Sequence, residues 1–269
     1  MDKLKATRGP IGGIVLSEMI KGTSDALGEA SRKMLRALLP LLASFHKLGK
    51  AFEEYGLNEP VAMDLLKRYN LFLSPSLEPW LVSKIAEIGR KRGNHRAEID
   101  QLLVGYFRST YYFRLEWLVQ GWGSNELFRP RMKIFRDCLI VLKAEKRGLN
   151  PSNVVLPTLI AQIDGIRQCY LEKMGYSFKE VRGRYQWVDS KGQIVKWSDV
   201  YRSISSTNKF QKAGCEVFIS ILFESSKRGS RSHLTFNRHK ILHGECIRYG
   251  RIDNTIRAFL TLDFLYHLA

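Results

Sequence analysis

The sequence predicts an all-α protein with one small β-hairpin inserted in its C-terminal half. Apolar residues recur at spacings of three and four along most of the chain, which is the pattern of amphipathic helices. Aromatic and polar residues alternate between about 182 and 197 around a turn sequence, which predicts a hairpin there. The 269 residues are 45% hydrophobic, as in an ordinary globular protein, and they suffice for one large domain or two small ones.

The first part of the chain contains several predicted helices. Residues 1–22 are small, basic and glycine-containing, and they predict a loosely ordered start. A helix begins at Ser24, where Ser24 and Asp25 can cap it, and Pro40 should kink or split it. Three further helices are predicted, over 60–69, 80–88 and 98–119.

Gly121-Trp122-Gly123 interrupts the helical pattern and predicts a domain boundary near residue 120. A helical N-terminal region (1–120) of unknown role precedes it, and a second domain (121–269) follows. Helices of the second domain are predicted over 128–146, 153–174, 211–226 and 254–268. Asp164-Gly165 lies inside one of them, where glycine costs about 1 kcal/mol relative to alanine. We therefore expect Gly165 to permit the close approach of another helix.

The predicted hairpin pairs residues 185–187 with 193–195 around a turn at 189–192. Its aromatic side chains lie among positive charges, an arrangement that can stack bases and hold phosphates, although the aromatics could equally attach the hairpin to the helices. A basic loop over 225–232 follows farther along the chain. The candidate nucleic-acid-binding residues of these two segments are Arg182, Arg184, Lys191, Lys196, Lys227, Arg228 and Arg231.

Charge is the strongest bulk property of the chain. Lys and Arg number 43 against 26 Asp and Glu, a formal net charge of +17. Such an excess favours a polyanionic partner, with nucleic acid first and an anionic membrane surface second. Four widely spaced cysteines without a CxxC pair argue against a zinc ribbon and a disulfide scaffold. The apolar run at 11–16 is too short for a signal peptide, so we expect a cytoplasmic protein.

The segment Asn237-Arg238-His239-Lys240-Ile241-Leu242-His243-Gly244 carries the candidate chemistry. Arginine is a permanent, forked cation suited to phosphate, and histidine exchanges protons near neutral pH. The same Arg-x4-His spacing recurs with polar interiors that predict solvated turns, at Arg90…His95 and Arg228…His233. Only the copy with Arg238 and His243 has an apolar interior that can lie in a folded core.

These two residue types suffice to cleave RNA through attack of its own 2′-hydroxyl on the adjacent phosphate. His243 would transfer protons, and Arg238 would stabilise the negative charge on the pentacoordinate phosphorus. His239 shares a helix face with His243 and is a candidate supporting residue, while Asn237 could cap the short helix. No phosphate-binding loop, zinc motif or nucleophile elbow is present, so no metal or cofactor is predicted.

The C-terminal segment resembles the second half of a HEPN domain: Asn-Arg-His-x-Ile-Leu-His-Gly is followed by Tyr249-Gly250 and by Asn-x-x-Arg-x-x-Leu-x-Leu-Asp-x-Leu from Asn254. Residues 125–131 and the segment from Leu156 to Ile166 resemble the first half in its prokaryotic members. The resemblance covers roughly 120–269. It implies a helical bundle and a homodimeric, metal-independent endoribonuclease.

The same resemblance places the protein in a defence, toxin or prophage context, with transfer or messenger RNA as substrate and an antitoxin or regulatory partner. Asp164 would face the catalytic cleft and position Arg238 or His243. A related subgroup carries a modifiable tyrosine two residues after the histidine, but Glu245 occupies that position here. The resemblance therefore does not support that form of regulation.

Alternative functions stay open at this point. The chain could be a non-catalytic RNA- or DNA-binding or assembly protein with the same fold. His243 could also be a core histidine hydrogen-bonded to a carbonyl. The chain could also be a DNA-binding regulator that reads DNA with the helices of 60–119, although no clear helix-turn-helix is present there. Cleavage of RNA in EDTA separates the first alternative from a ribonuclease, and competition between RNA and DNA tests the second.

Overall fold

The computed structural model describes residues 56–144, 148–204, 209–223 and 238–269, except for the side chains of 204, 209, 210, 221–223 and 239. The chain divides into two compact units, Met1–Glu54 and Tyr55–Ala269. The helix predicted from Ser24 lies outside the described residues, all of which belong to the second unit.

The described part of this unit is helical with one two-stranded sheet, so the predicted fold class is confirmed. Helix α1 covers residues 56–68, and a 3₁₀ turn, Arg129–Arg131, precedes α5. The other helices are α2 (Pro79–Gly89), α3 (Arg96–Arg108), α4 (Phe113–Trp122), α5 (Met132–Lys143), α6 (Ser152–Lys173), α7 (Trp197–Ile204), α8 (Lys209–Phe223), α9 (Arg238–Leu242) and α10 (Ile252–Leu268). The strands are β1 (Ser177–Val181) and β2 (Arg184–Val188).

Helix α10 lies at the centre of the unit and packs against α6, α3, α4 and α8. It is buried on every side from Asp253 to Leu265, including its polar residues. A buried polar group must be paired to avoid a large desolvation penalty. Asp263 accordingly accepts hydrogen bonds from the Trp122 indole at 2.8 Å and from the Ser74 hydroxyl. The hydroxyl of Thr261 donates to the Arg257 carbonyl oxygen at 2.8 Å.

The compact unit continues across the boundary expected near residue 120. Trp122 ends α4, is fully buried, and contacts the rings of Phe128, Phe135 and Phe259 on the other side of that position. Helices α3 and α4 both pack on α10. The division between compact units therefore lies before Tyr55, and the glycines around Trp122 only end a helix.

The single helix predicted over 98–119 is wrong, because α3 and α4 are separate. Tyr111 and Tyr112 between them adopt positive φ angles of 52° and 62°, which no continuous right-handed helix can contain. The Tyr112 side chain is buried, and the Tyr111 hydroxyl donates to the Lys143 carbonyl at 2.9 Å. These tertiary contacts stabilise the interruption between α3 and α4. Helix α7 was not predicted, whereas the other helices predicted within the described residues agree with the structure there to within a few residues.

The hairpin is present, but its main strand pairing differs from the prediction. Strands β1 and β2 pair through a turn at Arg182 and Gly183, whose positive φ angles of 54° and 73° suit a tight hairpin turn. The predicted turn at 189–192 also forms, since Asp189 Oδ1 accepts hydrogen bonds from the backbone of Lys191 and Gln193. It joins β2 only to a short extension, through the bridge between Val188 and Ile194.

Within the described ranges, no helix combines the length and the apolar character needed to cross a membrane.

Candidate active site

Helix α9 places the two candidate catalytic residues at its opposite ends. Arg238 is its first residue, and His243 directly follows its last residue. Ile241 is buried and attaches the helix to the core. Gly244 has φ +73°, so the chain turns away in a left-handed conformation that glycine adopts without strain. The Gly244 amide donates to the Ile241 carbonyl, and the histidine before it is exposed to solvent.

The guanidinium of Arg238 contacts the middle of α6. Its Nη2 donates to Asp164 Oδ2 at 2.7 Å, across 74 positions of sequence. The Arg238 side chain is 22% exposed and that of Asp164 is 14% exposed. A charge-assisted hydrogen bond at this degree of burial is stronger than a surface ion pair. The contact therefore fixes the direction of the Arg238 side chain while leaving part of it accessible.

Asp164 binds a second arginine through its other carboxylate oxygen. Arg167, one helical turn farther along α6, donates from Nε and Nη2 to Asp164 Oδ1 at 3.0 Å and 2.8 Å. The Arg167 guanidinium also lies over the ring of Trp197, 5.2 Å from its centre. One carboxylate is thus shared by two guanidiniums, so this part of the unit carries an excess of positive charge.

Two polar atoms beside this ion pair are buried without a hydrogen-bond partner among the described residues: Arg238 Nε and the hydroxyl of Tyr201. Burial, as the largest effect, raises the pKa of Tyr201 far above its ordinary value, so the phenol is neutral. An unpaired buried donor costs on the order of 1–3 kcal/mol.

Gly165 leaves room for a side chain from another element. A Cβ atom at this position would lie 3.2 Å from Arg131 Nη2, so the guanidinium of Arg131 occupies the space over the glycine. Arg131 Nη1 donates to the Leu127 carbonyl at 2.8 Å. The close approach expected at Gly165 is therefore present, but an arginine side chain makes it in place of a second helix.

The candidate binding residues of the hairpin lie on an exposed surface. Phe178 and Tyr185 are 49% and 67% exposed, and their rings stack at 5.7 Å. Trp187 is buried and attaches the hairpin to the core. Packing against the helices is therefore the role of Trp187, whereas Phe178 and Tyr185 are the rings exposed for stacking on bases. The basic side chains of this segment are all exposed: Arg182, Arg184, Lys191 and Lys196.

Several candidate residues lie outside the description. The structure does not describe Asn237 or the basic loop that contains Lys227, Arg228 and Arg231. The backbone of His239 belongs to α9, but its side chain is outside the described atoms. Their proposed roles stay predictions from the sequence.

The described ranges offer little support for metal-dependent or thiol-based catalysis. Among these residues, no group of three or more His, Cys, Asp or Glu side chains could hold a metal ion. All four cysteines are free thiols. Burial raises the pKa of Cys138 and Cys215 to about 12, which makes both thiols inert near neutral pH.

Comparisons of the chain with protein-family models, with curated proteins and with solved structures found no match. The likeness to HEPN domains therefore rests on the motifs alone.

Sequence reasoning missed three residues that the structure brings to the candidate site: Arg131, Arg167 and Tyr201. The spacing of Asp164 and Arg167 by three positions was a usable signal, since such pairs meet on one helix face. Nothing local indicated Tyr201, because α7 itself was not predicted. Arg131 reaches Gly165 from a separate element, a contact that only the packing of α5 on α6 determines.

Proposed function

We propose that this protein is a metal-independent endoribonuclease of the HEPN type, in which Arg238 and His243 act on a scissile phosphodiester. The observation that carries the proposal is the ion pair between Arg238 and Asp164. It joins the Ile163-Asp164-Gly165 segment to the Arg-x4-His segment, the two parts of the sequence that resemble one family. Neither segment alone indicates a catalytic site, but the contact between them supports the proposal that both belong to one site.

The proposed reaction needs three contributions. A neutral imidazole of His243 removes the proton from the 2′-hydroxyl, and an imidazolium protonates the leaving 5′-oxygen. Arg238 stabilises the charge that develops on the phosphoryl oxygens, and Asp164 holds its guanidinium in place. The exposure of His243 beyond the end of α9 suits a group that must exchange protons with a substrate. The products would be a 2′,3′-cyclic phosphate and a 5′-hydroxyl.

We also propose that the active form is a homodimer. One chain supplies one His243, while the reaction requires a base and an acid at the same phosphate. Two chains that meet at α9 would supply both, with RNA between them. Sedimentation of the wild-type protein should give a dimer at the concentrations at which it cleaves, and a monomer that cleaves at full rate would contradict this arrangement.

A defence, toxin or prophage role follows from the same proposal, with transfer or messenger RNA as the target. Expression of the wild-type chain in a bacterial host should slow growth, and the His243→Ala variant should not. A neutralising antitoxin or another regulatory protein would then act by covering α9 or by preventing dimerisation.

The experiment that tests the proposal measures RNA cleavage in EDTA. Wild-type protein should cleave, and His243→Ala and Arg238→Ala should each lower the rate at least about 100-fold, because acid–base and electrostatic groups contribute factors of this size. Far-ultraviolet circular dichroism and a urea titration should show that the variants are folded.

The chain offers a matched control at Arg90 and His95, which have the same spacing. Arg90 bonds to Asn58, and His95 lies beside the carbonyl oxygen of Lys91. Alanine at either position should leave cleavage unchanged. Equal losses at both Arg-x4-His segments would contradict a specific role for α9.

A non-catalytic RNA- or DNA-binding or assembly function is the second candidate. The burial of most of the Arg238 side chain in an ion pair favours it, since such a pair can serve the fold alone. Wild-type protein that retards RNA in a gel shift but leaves it intact, with or without Mg²⁺, would establish the binder and exclude the ribonuclease.

A further inference from the structure

The hairpin formed by β1 and β2 presents two chemically different faces. Successive side chains of a strand point to opposite faces of a sheet, and residues directly opposite each other on paired strands share one face. In the observed register Phe178 lies opposite Trp187, and Glu180 lies opposite Tyr185. Three aromatic rings and one carboxylate therefore share a face, which we call the aromatic face.

The three rings form a row that leads away from the core. Trp187 is buried at the inner end of the row, and the centre of its ring lies 5.2 Å from that of Phe178. The Phe178 ring stacks in turn on the ring of Tyr185. Both outer rings are exposed. An unpaired base can extend this row by stacking on either of them.

Positive charge surrounds the aromatic face without lying on it. By the alternation of side chains, Lys179 and Arg184 lie on the opposite face, and the other cations of the segment lie in the turns or beyond the strands. Within the described part of the chain, none of the cationic side chains of residues 177–196 has a hydrogen bond or an ion pair: Lys179, Arg182, Arg184, Lys191 and Lys196. These cations are available to the phosphates of a nucleic acid strand.

Among the residues of the two strands, Glu180 is the one charged side chain on the aromatic face. It is exposed, and its carboxylate makes no hydrogen bond or ion pair with any described residue. The other carboxylate of the segment, that of Asp189, already accepts two backbone hydrogen bonds in its turn. A base that stacks on Tyr185 would bring its edge beside the oxygens of Glu180, which act only as acceptors.

The Watson–Crick edges of the four bases differ in how well they suit a carboxylate. Guanine presents two adjacent donors, N1–H and the N2 amino group, which match the two carboxylate oxygens. Adenine and cytosine each present one amino donor beside a ring nitrogen that accepts. Uracil presents N3–H between two carbonyl oxygens, which repel a carboxylate. An acceptor-only group beside a stacked base therefore favours guanine and disfavours uracil.

We propose that the hairpin binds an unpaired guanosine of an RNA strand and that Glu180 determines this specificity. The base stacks on Tyr185 or Phe178, and its N1–H and amino group donate to the Glu180 carboxylate. The guanosine must be unpaired, because pairing would occupy the same edge. The inference rests on the proposed function only for contact of the chain with RNA, and it uses neither Arg238 nor His243.

Fluorescence anisotropy with the full wild-type chain in EDTA tests this specificity. The probes are a labelled strand of about eight uridines, the same strand with one central guanosine, and the same strand with inosine in that place. All carry 2′-O-methyl sugars, which prevent cleavage. We expect guanosine to strengthen binding about tenfold, as a bidentate base contact does. Inosine lacks the N2 amino group, so it should lose most of that gain.

Glu180→Gln keeps the length of the side chain and replaces one acceptor oxygen by an amino donor. It should reduce the preference for guanosine over uridine to less than about threefold. Glu172→Gln is the matched control, since Glu172 lies in the last turn of α6, is exposed, and likewise has no partner among the described residues. Both changes remove one negative charge, which strengthens binding of any polyanion. The ratio of the two affinities is therefore the readout, and Glu172→Gln should leave it unchanged.

Three results would overturn the role of Glu180: equal binding of the guanosine and uridine strands by the wild-type chain, equal binding of the guanosine and inosine strands, or a preference that Glu180→Gln and Glu172→Gln change equally. A chain that prefers guanosine through Glu180 but never cleaves RNA would support this role and contradict the ribonuclease alone. A chain that cleaves RNA without this preference would contradict the role of Glu180 alone.

Discussion

The carboxylate of Asp164 is bonded on one oxygen by Arg238, at 2.7 Å, and on the other by Arg167 of its own helix, at 2.8 Å. Asp164 thus determines where the guanidinium of α9 lies relative to α6. In the proposed mechanism this placement sets the position of the scissile phosphate, so a residue that touches no substrate controls the rate.

Asp164→Asn should slow RNA cleavage in EDTA at least about tenfold and lower the free energy of unfolding by about 3 kcal/mol. Loss of one partner of a largely buried ion pair is strongly destabilising, and here two guanidiniums lose the same carboxylate. Urea titration measures the stability, and cleavage is compared where both proteins are folded. Asp137→Asn is the control, since Asp137 pairs with Lys133 at the surface. Equal destabilisation by both changes would contradict this account of Asp164.

Gly214→Ala should destabilise the protein by more than about 2 kcal/mol. A Cβ atom at Gly214 of α8 would overlap the ring of Phe264 in α10, and the overlap outweighs the gain of about 1 kcal/mol in helix propensity. Thermal and urea unfolding measure the change. Gly121→Ala, where an added Cβ meets nothing within 4 Å, should be neutral or stabilising. A stable Gly214→Ala protein would mean that α8 and α10 lie farther apart.

Stability should fall as the pH rises above about 9. Burial raises the pKa of Cys138 and Cys215 to about 12, whereas unfolded thiols ionise near pH 8.5. The unfolded chain therefore releases these protons at a lower pH than the folded protein does. Between those two pKa values, the free energy of unfolding falls by about 1.4 kcal/mol per pH unit for each thiol. Urea titrations at pH 7.5 and 10.5 measure the loss. A protein with alanine at both cysteines should lose less, and an identical loss would assign the effect to other groups.

Tyr185→Ala and Phe178→Ala should each weaken RNA binding about tenfold, because stacking of a base on an aromatic ring is worth about 1–3 kcal/mol. Both rings are exposed and stacked on each other beside basic side chains. Fluorescence anisotropy with a labelled single strand measures the affinity, using protein with His243→Ala so that the strand stays intact. Phe113→Ala removes a ring of similar exposure on α4 and should have no effect.

The helices that sequence analysis located are those whose apolar period is uninterrupted. Helix α10 was expected over 254–268 and runs from Ile252 to Leu268. The break between α3 and α4 was not predictable from local preferences, because Tyr111 and Tyr112 carry no turn signal. Burial of the Tyr112 ring and a hydrogen bond from the Tyr111 hydroxyl to α5 hold these left-handed conformations, and only the folded unit provides both contacts.

The hairpin shows a different limit. Both the Arg182-Gly183 dipeptide and the segment 189–192 contain turn residues, and the aromatic alternation of β2 is compatible with pairing on either side. The structure uses both turns, with the full strand pairing on the side of β1. Sequence periodicity identifies the strand but does not choose its partner.

Part of the candidate site could be predicted from the sequence. Arg238, His243 and Asp164 follow from the motifs, and the structure brings Arg238 and Asp164 into contact. Arg167 was not predicted as a site residue, since an arginine inside an amphipathic helix ordinarily lies at the surface. It is buried here because Asp164 neutralises its charge and Trp197 covers its face.

Analysis of the RNA ends that the protein leaves in EDTA tests the proposed chemistry most directly. The proposed mechanism predicts 2′,3′-cyclic phosphate and 5′-hydroxyl ends from the wild-type protein, no products from His243→Ala, and no cleavage of a strand whose sugars lack the 2′-hydroxyl. Cleavage that requires a divalent metal, or that proceeds on a strand without 2′-hydroxyls, would contradict the roles assigned to Arg238 and His243.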